Sequence, residues 1–183
     1  MSEEQLIKEV KNIPERFEII YLQHYKTIFN YCYRRTRNFD ASKDITSETF
    51  LKAFLKFHTY KWKGIPIINW LYRISTNEIN LFYRSKKYNP ILLYETYGDN
   101  PLSTAYKHLI EEKYNAEFEL EKHLQFIKVQ KALKELSLKY QEVISLKYFE
   151  KLKIKEISII LNKKDGTIKS LLSRGILYLK EKM

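Results

Sequence analysis

Residues 152–181 read "LKIKEISIILNKKDGTIKSLLSRGILYLKE", and this stretch decides the fold of the C-terminal part of the chain. Apolar residues recur three and four positions apart on both sides of a polar break at 162–166, which predicts one helix from about Ile154 to Leu161 and a second from about Thr167 onward. The inward-facing residues are expected to be Ile157, Ile160 and Leu161 in the first helix, and Ile168, Leu172, Gly175 and Leu179 in the second. This spacing is typical of a helix-turn-helix, and a plain αα-hairpin is the alternative.

The turn and the outer face of the second helix carry the polar residues of this motif. Asn162 stands where a left-handed residue is needed, and asparagine tolerates that conformation better than most residues. Lys164 is a poor N-cap, so we expect Asp165 to cap the second helix. The outer face carries Lys169, Ser170, Ser173 and Arg174. These side chains are able to reach base edges or phosphates in a major groove.

The charge of the whole chain indicates a polyanionic partner. Lys and Arg number 33 against 22 for Asp and Glu, a formal net charge of +11 on 183 residues. Nucleic acid and an anionic membrane surface both fit this charge. The longest nearly apolar run, residues 65–71, contains a proline and an asparagine and is shorter than the ~18 residues of a membrane span. The N-terminal residues lack the pattern of a secretory signal, so we expect a cytoplasmic protein without membrane insertion.

Charge also divides the chain into three stretches. Residues 17–87 are aromatic, basic and helical in pattern, and residues 130–183 carry thirteen basic and six acidic side chains. Between them, residues 91–122 carry seven acids and three bases, which gives a net charge of −4. With only four glycines and four prolines in the chain, the expected fold is all-α, with two small helical domains joined by an acidic linker.

The segment "DITSETFLKAFLKF", residues 44–57, has two distinct faces when read as a helix. Asp44 or Ser42 is expected to cap its start. The face expected to be buried carries Phe50, Ala53, Phe54 and Phe57; about 140° away lie Asp44, Glu48, Leu51 and Leu55. Exposed leucines flanked by acids indicate a docking surface for a basic partner, and a helix surrounded by bundle neighbours is the alternative.

The loop "YKWKGIP", residues 60–66, precedes a helix-patterned segment "NWLYRISTNEINLFYRSKK", residues 69–87. In that segment Leu71, Ile74, Leu81 and Phe82 share a face and are expected to be buried. The opposite face carries Trp70, Arg73, Asn77, Asn80, Arg84 and Lys87. Aromatic rings beside cations are typical of surfaces that hold single-stranded nucleic acid, so the loop and this face are predicted to form one such surface.

The sequence offers no motif for catalysis or metal binding. The single Cys32 is expected to fill space in a helix core, and the four histidines lack the spacing of metal ligands. We find no glycine-rich phosphate loop and no nucleophile and base pair, so we expect a binding protein without cofactor or metal rather than an enzyme.

Taken together, the motifs resemble the bacterial sigma factors of RNA polymerase, in the small extracytoplasmic-function (ECF) group that keeps only the second and fourth conserved regions. "DITSETFLKAF" resembles the region 2.2 pattern, and "NWLYRISTNEINLFYRSKK" is similar to the signature of regions 2.3 and 2.4. "LKELSLKYQEVISLKYFEKLKIKEISIILNKKDGTIKSLLSRG" is similar to region 4. The resemblance covers roughly residues 17–87 and 124–182.

The resemblance implies a factor that binds core RNA polymerase, recognises the −10 and −35 promoter elements, melts the promoter and starts transcription. It implies a region 2 domain at 1–87, a linker at 88–123 and a region 4 helix-turn-helix domain at 124–183. The implied partners are the β′ clamp helices and the β flap of the polymerase, together with promoter DNA, and the family also admits an anti-sigma factor. The implied location is the cytoplasm, at the nucleoid.

The resemblance also assigns roles to residues. The implied polymerase contacts are Asp44, Ser47, Glu48, Leu51 and Leu55. The implied −10 contacts are Tyr60, Lys61, Trp62, Lys63, Trp70, Arg73, Asn77, Asn80, Arg84 and Lys87, with Asn77 and the loop holding a flipped base. The implied −35 contacts are Thr167, Lys169, Ser170, Ser173 and Arg174.

The chain departs from the family pattern at four positions. Ser47 replaces the usual glutamine and Asn80 a common aspartate, while Leu171 and Ile176 stand where arginine is frequent. Weak contact with the −35 element is therefore expected. Two other functions stay open at this point: a helix-turn-helix regulator that does not bind core polymerase, and a nucleic-acid-processing enzyme using acids such as Glu48 and Glu78.

Overall fold

The computed structural model describes residues 2–88, 128–129 and 131–183, and the regular structure in these ranges is helical throughout. The N-terminal part contains α1 (Glu3–Asn12), α2 (Phe17–Thr36), α3 (Phe39–Lys56) and α4 (Ile67–Tyr88), with 3-10 turns at Pro14–Arg16 and Phe57–Thr59. The C-terminal part contains a helical segment at 131–135, then α5 (Leu138–Ile144), a π-helical turn (Ser145–Phe149), α6 (Ile154–Leu161) and α7 (Asp165–Glu181). The predicted all-α fold is confirmed, and the predicted linker beyond Tyr88 lies outside the described residues.

Helices α2, α3 and α4 pack on one another and form the core of the N-terminal part. Ile20, Ile28, Leu71 and Ile79 are fully buried there. Cys32 is also fully buried and unpaired, as predicted. Burial raises the pKa of the Cys32 thiol to about 12, so the thiol stays protonated and behaves as a small apolar group.

Helix α3 begins earlier than predicted, and its buried face is rotated from the predicted one. Asn38, rather than Asp44 or Ser42, is the N-cap, and its side-chain oxygen accepts a hydrogen bond from Ala41 N at 2.8 Å. The hydroxyls of Ser42, Thr46 and Thr49 are buried and donate to backbone carbonyls four residues earlier. Because small hydroxyl residues fill this part of the core, the buried arc turns away from Phe54.

Phe54 was predicted to be buried and is 45% exposed. The other three members of its predicted stripe, Phe50, Ala53 and Phe57, are buried as expected. The Phe54 ring still contacts Phe17 edge to face, with 5.4 Å between ring centroids. Its outer side adds apolar surface beside the exposed leucines of α3.

The first helix, α1, was not predicted. A capping box joins Ser2 and Gln5 at its start, and Leu6, Ile7 and Val10 are buried against the bundle. The Glu3 carboxylate accepts a hydrogen bond from the backbone N–H of Ile67, the first residue of α4, at 2.5 Å. Helix α1 therefore satisfies one of the open backbone donors at the start of α4.

The helix-turn-helix of the C-terminal part follows the prediction closely. Helix α6 has the predicted bounds, and Asn162 adopts the left-handed conformation with φ 51° and ψ 49°. Helix α7 begins at Asp165 rather than near Thr167, and Lys164 is the cap residue without a side-chain cap bond. Asp165 therefore does not cap the helix as predicted, but places a negative charge in its first turn, where the helix dipole favours it.

Helices α7 and α5 approach each other closely at Gly175. A Cβ at Gly175 would lie 3.1 Å from Ile144 Cδ1 and 3.3 Å from Tyr140 Cβ. The predicted inward face of α7 is confirmed, since Ile168, Leu172 and Gly175 are buried and Leu179 packs against the core.

The two parts of the chain lie against each other. Helix α4 packs on α6, and α2 contacts the π-helical turn. Buried apolar side chains from both parts belong to one continuous cluster. The contact covers part of α4, the helix that carries most of the predicted −10 residues.

Candidate nucleic-acid and partner interfaces

The outer face of α3 is an open surface of leucines and acids. Leu51 is 52% and Leu55 is 60% exposed, so α3 is not surrounded by bundle neighbours on this side. Asp44 and Ser47 are exposed and Glu48 is half-buried. The structure thus brings together all five predicted polymerase contacts on one helix face, and Phe54 joins them as an apolar residue that the sequence did not indicate.

A lysine between the acids of this face is already paired. Lys52 Nζ lies 3.1 Å from a carboxylate oxygen of Glu48 and 2.7 Å from one of Glu78 on α4. The hydrogen bond to Glu78 is the main cause that raises the pKa of Lys52. The contact joins α3 to α4 and partly neutralises the charge of Glu48. Asp44 is the more exposed of the two acids on this face.

Leu81 was predicted to be buried and is 48% exposed. It lines an open groove of about 560 Å³ between α3 and α4, together with Asp44, Glu48 and Arg84. Nothing in the described chain fills this groove. Leu71 is fully buried, and Ile74 and Phe82 pack partly buried against the core, so the rest of the predicted face is confirmed.

The loop at 60–66 is attached to the start of α4 through its rings. The Tyr60 ring lies 4.8 Å from the Trp70 ring and 6.0 Å from Phe57, measured between centroids. Trp62 is half-buried. Gly64 has a φ of +69°, which makes the turn and favours glycine. Tyr60 and Trp70 therefore join the loop to the polar face of α4.

The charged residues of this surface point outward. Lys61 and Lys63 of the loop are exposed, as are Arg73, Asn77 and Arg84 on α4. These exposed amine, guanidinium and amide groups belong to the same loop and helix as the aromatic pair, a combination suited to binding phosphates and stacking bases.

Asn80 differs from the other residues of the predicted −10 face. It is half-buried, and its Nδ2 donates to Oε1 of Glu142 on α5 at 2.7 Å. Glu142 was not singled out in the sequence, because a contact across 62 residues leaves no local pattern. The side chain of Lys87 lies outside the described side chains.

The outer face of α7 presents the predicted −35 residues. Thr167, Lys169, Ser170, Ser173 and Arg174 are all exposed. The Ser170 hydroxyl donates to Gly166 O at 2.9 Å, and Arg174 Nε donates to Ser170 O at 3.3 Å. Leu171 is buried, so this position serves the core of the domain and cannot contact a phosphate.

The described ranges offer neither a metal site nor a membrane span. Within residues 2–88, 128–129 and 131–183, no cluster of three or more His, Cys, Asp or Glu side chains is arranged to hold a metal ion. No helix in the described part of the chain combines the length and apolarity that a membrane crossing requires.

Comparison with known proteins gives the family. A "Sigma-70 region 2" family model matches residues 20–88, and a "Sigma-70, region 4" model matches residues 126–179. The ECF RNA polymerase sigma factor SigW of Bacillus subtilis is 34% identical over 92% of this chain and 90% of its own length. The RNA polymerase sigma factor YlaC of the same organism is 28% identical over 92% of both chains.

Solved structures show the same fold. CnrH, solved in complex with the cytosolic domain of CnrY, has a TM-score of 0.66 at 16% identity, covering 97% of this chain and 94% of CnrH. The sigma factor RpoE, solved with the anti-sigma factor NepR from Bartonella quintana, has a TM-score of 0.64 at 21% identity, covering 91% and 95%. The two conserved regions, in order and over most of the chain, place this protein in the ECF group of bacterial RNA polymerase sigma factors.

Proposed function

We propose that this sigma factor consists of a region 2 domain (1–87), a linker (88–123) and a region 4 domain (124–183). It binds its partners through three surfaces, two in region 2 and one in region 4. The observation that carries the proposal is that an acidic, leucine-bearing face on α3 and basic, polar side chains on α4 and α7 are all exposed. Each surface matches a different partner, because the first suits a basic protein and the other two suit nucleic acid.

The α3 face binds core polymerase in this proposal. Leu51 and Leu55 supply apolar area that is open in the described chain, and Asp44 and Glu48 supply negative charge on a protein that is strongly basic. Such a face would be steered toward a positively charged helix pair, as expected of the β′ clamp helices. Ser47 contributes a short polar side chain at the edge of the same face.

The loop at 60–66 and the polar face of α4 bind the −10 element. Tyr60 and Trp70 form the base of the surface, and Asn77 stands exposed one helical turn beyond Arg73. Extracting a base from duplex DNA costs a few kcal/mol, while stacking it on a side chain returns about 1–3 kcal/mol. Because these values nearly cancel, melting requires the binding energy of the polymerase as well.

The outer face of α7 binds the −35 element in the major groove. Its short polar residues and two cations are exposed, while the neighbouring domain surface would contact the β flap. Leu171 and Ile176 stand where arginine is frequent in the family, which removes two phosphate contacts, so this element contributes modestly to promoter affinity.

The protein acts by binding, without catalysis of its own, in the cytoplasm at the nucleoid. Two structural relatives were solved with partner proteins, the cytosolic domain of CnrY and the anti-sigma factor NepR. Their likeness over nearly the whole chain supports proposing an anti-sigma partner for this factor too. Family membership favours this function over a regulator that does not bind polymerase.

Permanganate footprinting of unpaired thymines tests the proposal. A promoter fragment is probed with the factor alone, with core polymerase alone and with both together. We expect reactive thymines in the −10 element only when both are present, and opening by the isolated factor would overturn the energetic reasoning. Asn77→Ala should reduce the reactivity, whereas Gln23→Ala, on an exposed part of α2, should not.

A further inference from the structure

Two glutamates of the C-terminal part bind side chains of the N-terminal part. Arg34 Nη2 of α2 donates to Glu150 Oε1 at 2.7 Å, and the Tyr72 hydroxyl of α4 donates to Glu150 Oε2 at 2.6 Å. The Glu150 side chain is only 5% exposed. Both oxygens of one carboxylate are thus used by two different helices of the other domain. Charge-assisted bonds of this kind are roughly twice as strong as neutral ones.

The backbone before and after Glu150 has an unusual conformation. A π-helical turn, Ser145–Phe149, ends at Glu150, whose N–H donates to Ser145 O at 3.1 Å. Lys151 follows with a φ of +57°, a conformation that non-glycine residues rarely adopt. π-Helical turns are rare and are frequently found at functional sites. Here the turn and Lys151 direct Glu150 toward α2 and α4.

A second bond reaches the proposed DNA surface. Glu142 Oε1 accepts from Asn80 Nδ2 at 2.7 Å, and Glu142 is buried. Asn80 belongs to the proposed −10 face, yet in this arrangement its amide is half-buried against α5. The negative charge of Glu142 lies directly beside the proposed −10 surface. The closed arrangement therefore opposes the binding of DNA to that surface.

The contact is incomplete in a way that suits a reversible interaction. Arg34 Nε, Asn80 Oδ1 and Ser145 Oγ are buried without a hydrogen-bond partner within the described ranges. Buried polar atoms without partners favour separation, because water satisfies them when the two parts move apart. Interfaces between domains of one chain are commonly of this mixed, separable kind.

We propose that Arg34, Tyr72, Asn80, Glu142 and Glu150 form an interdomain latch that holds the factor closed and withholds Asn80 from promoter DNA until polymerase and promoter are engaged. The inhibitory part rests on the proposed function, whereas the latch itself does not. A factor that is mostly closed binds with an apparent affinity reduced by its open fraction, so weakening the latch should increase activity.

Small-angle X-ray scattering of the full chain tests the latch directly. A compact chain of this length has a radius of gyration of about 16 Å, and separation of the two parts raises it. The double variant Glu142→Gln and Glu150→Gln, and separately Tyr72→Phe, should give a larger radius than the parent. Glu135→Gln is the matched control, because it removes the same charge but breaks only the exposed pair with Lys182 in its own domain. An unchanged radius in both latch variants would refute the latch.

Transcription with core polymerase tests the inhibition. We expect the double variant to reach half-maximal transcript at about one-tenth of the parent's concentration, with Glu135→Gln close to the parent. Equal half-maximal concentrations in parent and latch variants, despite a larger radius, would refute the inhibitory role. If the parent gives no transcript at all, the proposed function fails together with that role, while the scattering result still decides the latch.

Discussion

Truncating the exposed leucines of α3 should weaken binding to core polymerase without affecting the fold. Leu51 is 52% and Leu55 is 60% exposed, so each loses little packing in the unbound factor when replaced by alanine. Full burial of a leucine side chain contributes about 1.5–3 kcal/mol, and about half of that area is open here. Each change should therefore cost about 1 kcal/mol of binding, and the double variant about 2 kcal/mol, which is roughly a 30-fold rise in Kd.

Fluorescence anisotropy of the labelled factor, titrated with core polymerase, measures this change. Leu22→Ala is the matched control, since Leu22 on α2 is 67% exposed and belongs to none of the three proposed surfaces. The leucine effect should persist at high salt, whereas the effect of Asp44→Asn should fade as ions screen it. Binding of the double leucine variant with the parent's Kd would show that the α3 face is not the polymerase surface.

Three further predictions concern α7, the turn before it and the buried thiol. Lys169→Ala or Arg174→Ala should each weaken binding to a −35 duplex by about 1–3 kcal/mol if the contact is to a base, and neutral results at several salt concentrations would exclude the groove assignment. In urea unfolding, Asn162→Val should destabilise the chain by about 1–2 kcal/mol because φ is 51°, whereas Asn162→Gly should not; equal losses would contradict this strain. Cys32, whose pKa is raised to about 12, should resist iodoacetamide at pH 8 until the chain is unfolded, and rapid native alkylation followed by mass spectrometry would disprove its burial.

Local features of the sequence predicted the local features of the structure. The bounds of α6, the left-handed Asn162 and the outward face of α7 all follow from periodicity and turn preferences over a few residues. The exposed leucines of α3 followed from the same geometry, because a helix can bury only one side against a small bundle. The capping-box pattern of Ser2 and Gln5 is a local sequence signal for the start of α1.

Features that depend on neighbours in space were not predictable in this way. Phe54 and Leu81 have the right spacing for burial, but the buried side of α3 carries Ser42, Thr46 and Ala53 and leaves Phe54 partly exposed, and a groove leaves Leu81 open. Glu150 and Arg34 are 116 residues apart in the sequence, so no local pattern predicts that they pair. Such contacts depend on how the two domains pack and not on the local sequence.

Run-off transcription with core polymerase on a library of random promoter sequences tests the central claim most directly. Adding the factor should create discrete start sites, and the selected templates should share one motif near −10 and a weaker one near −35. Transcripts identical to those of core polymerase alone, with no motif enriched, would contradict the account.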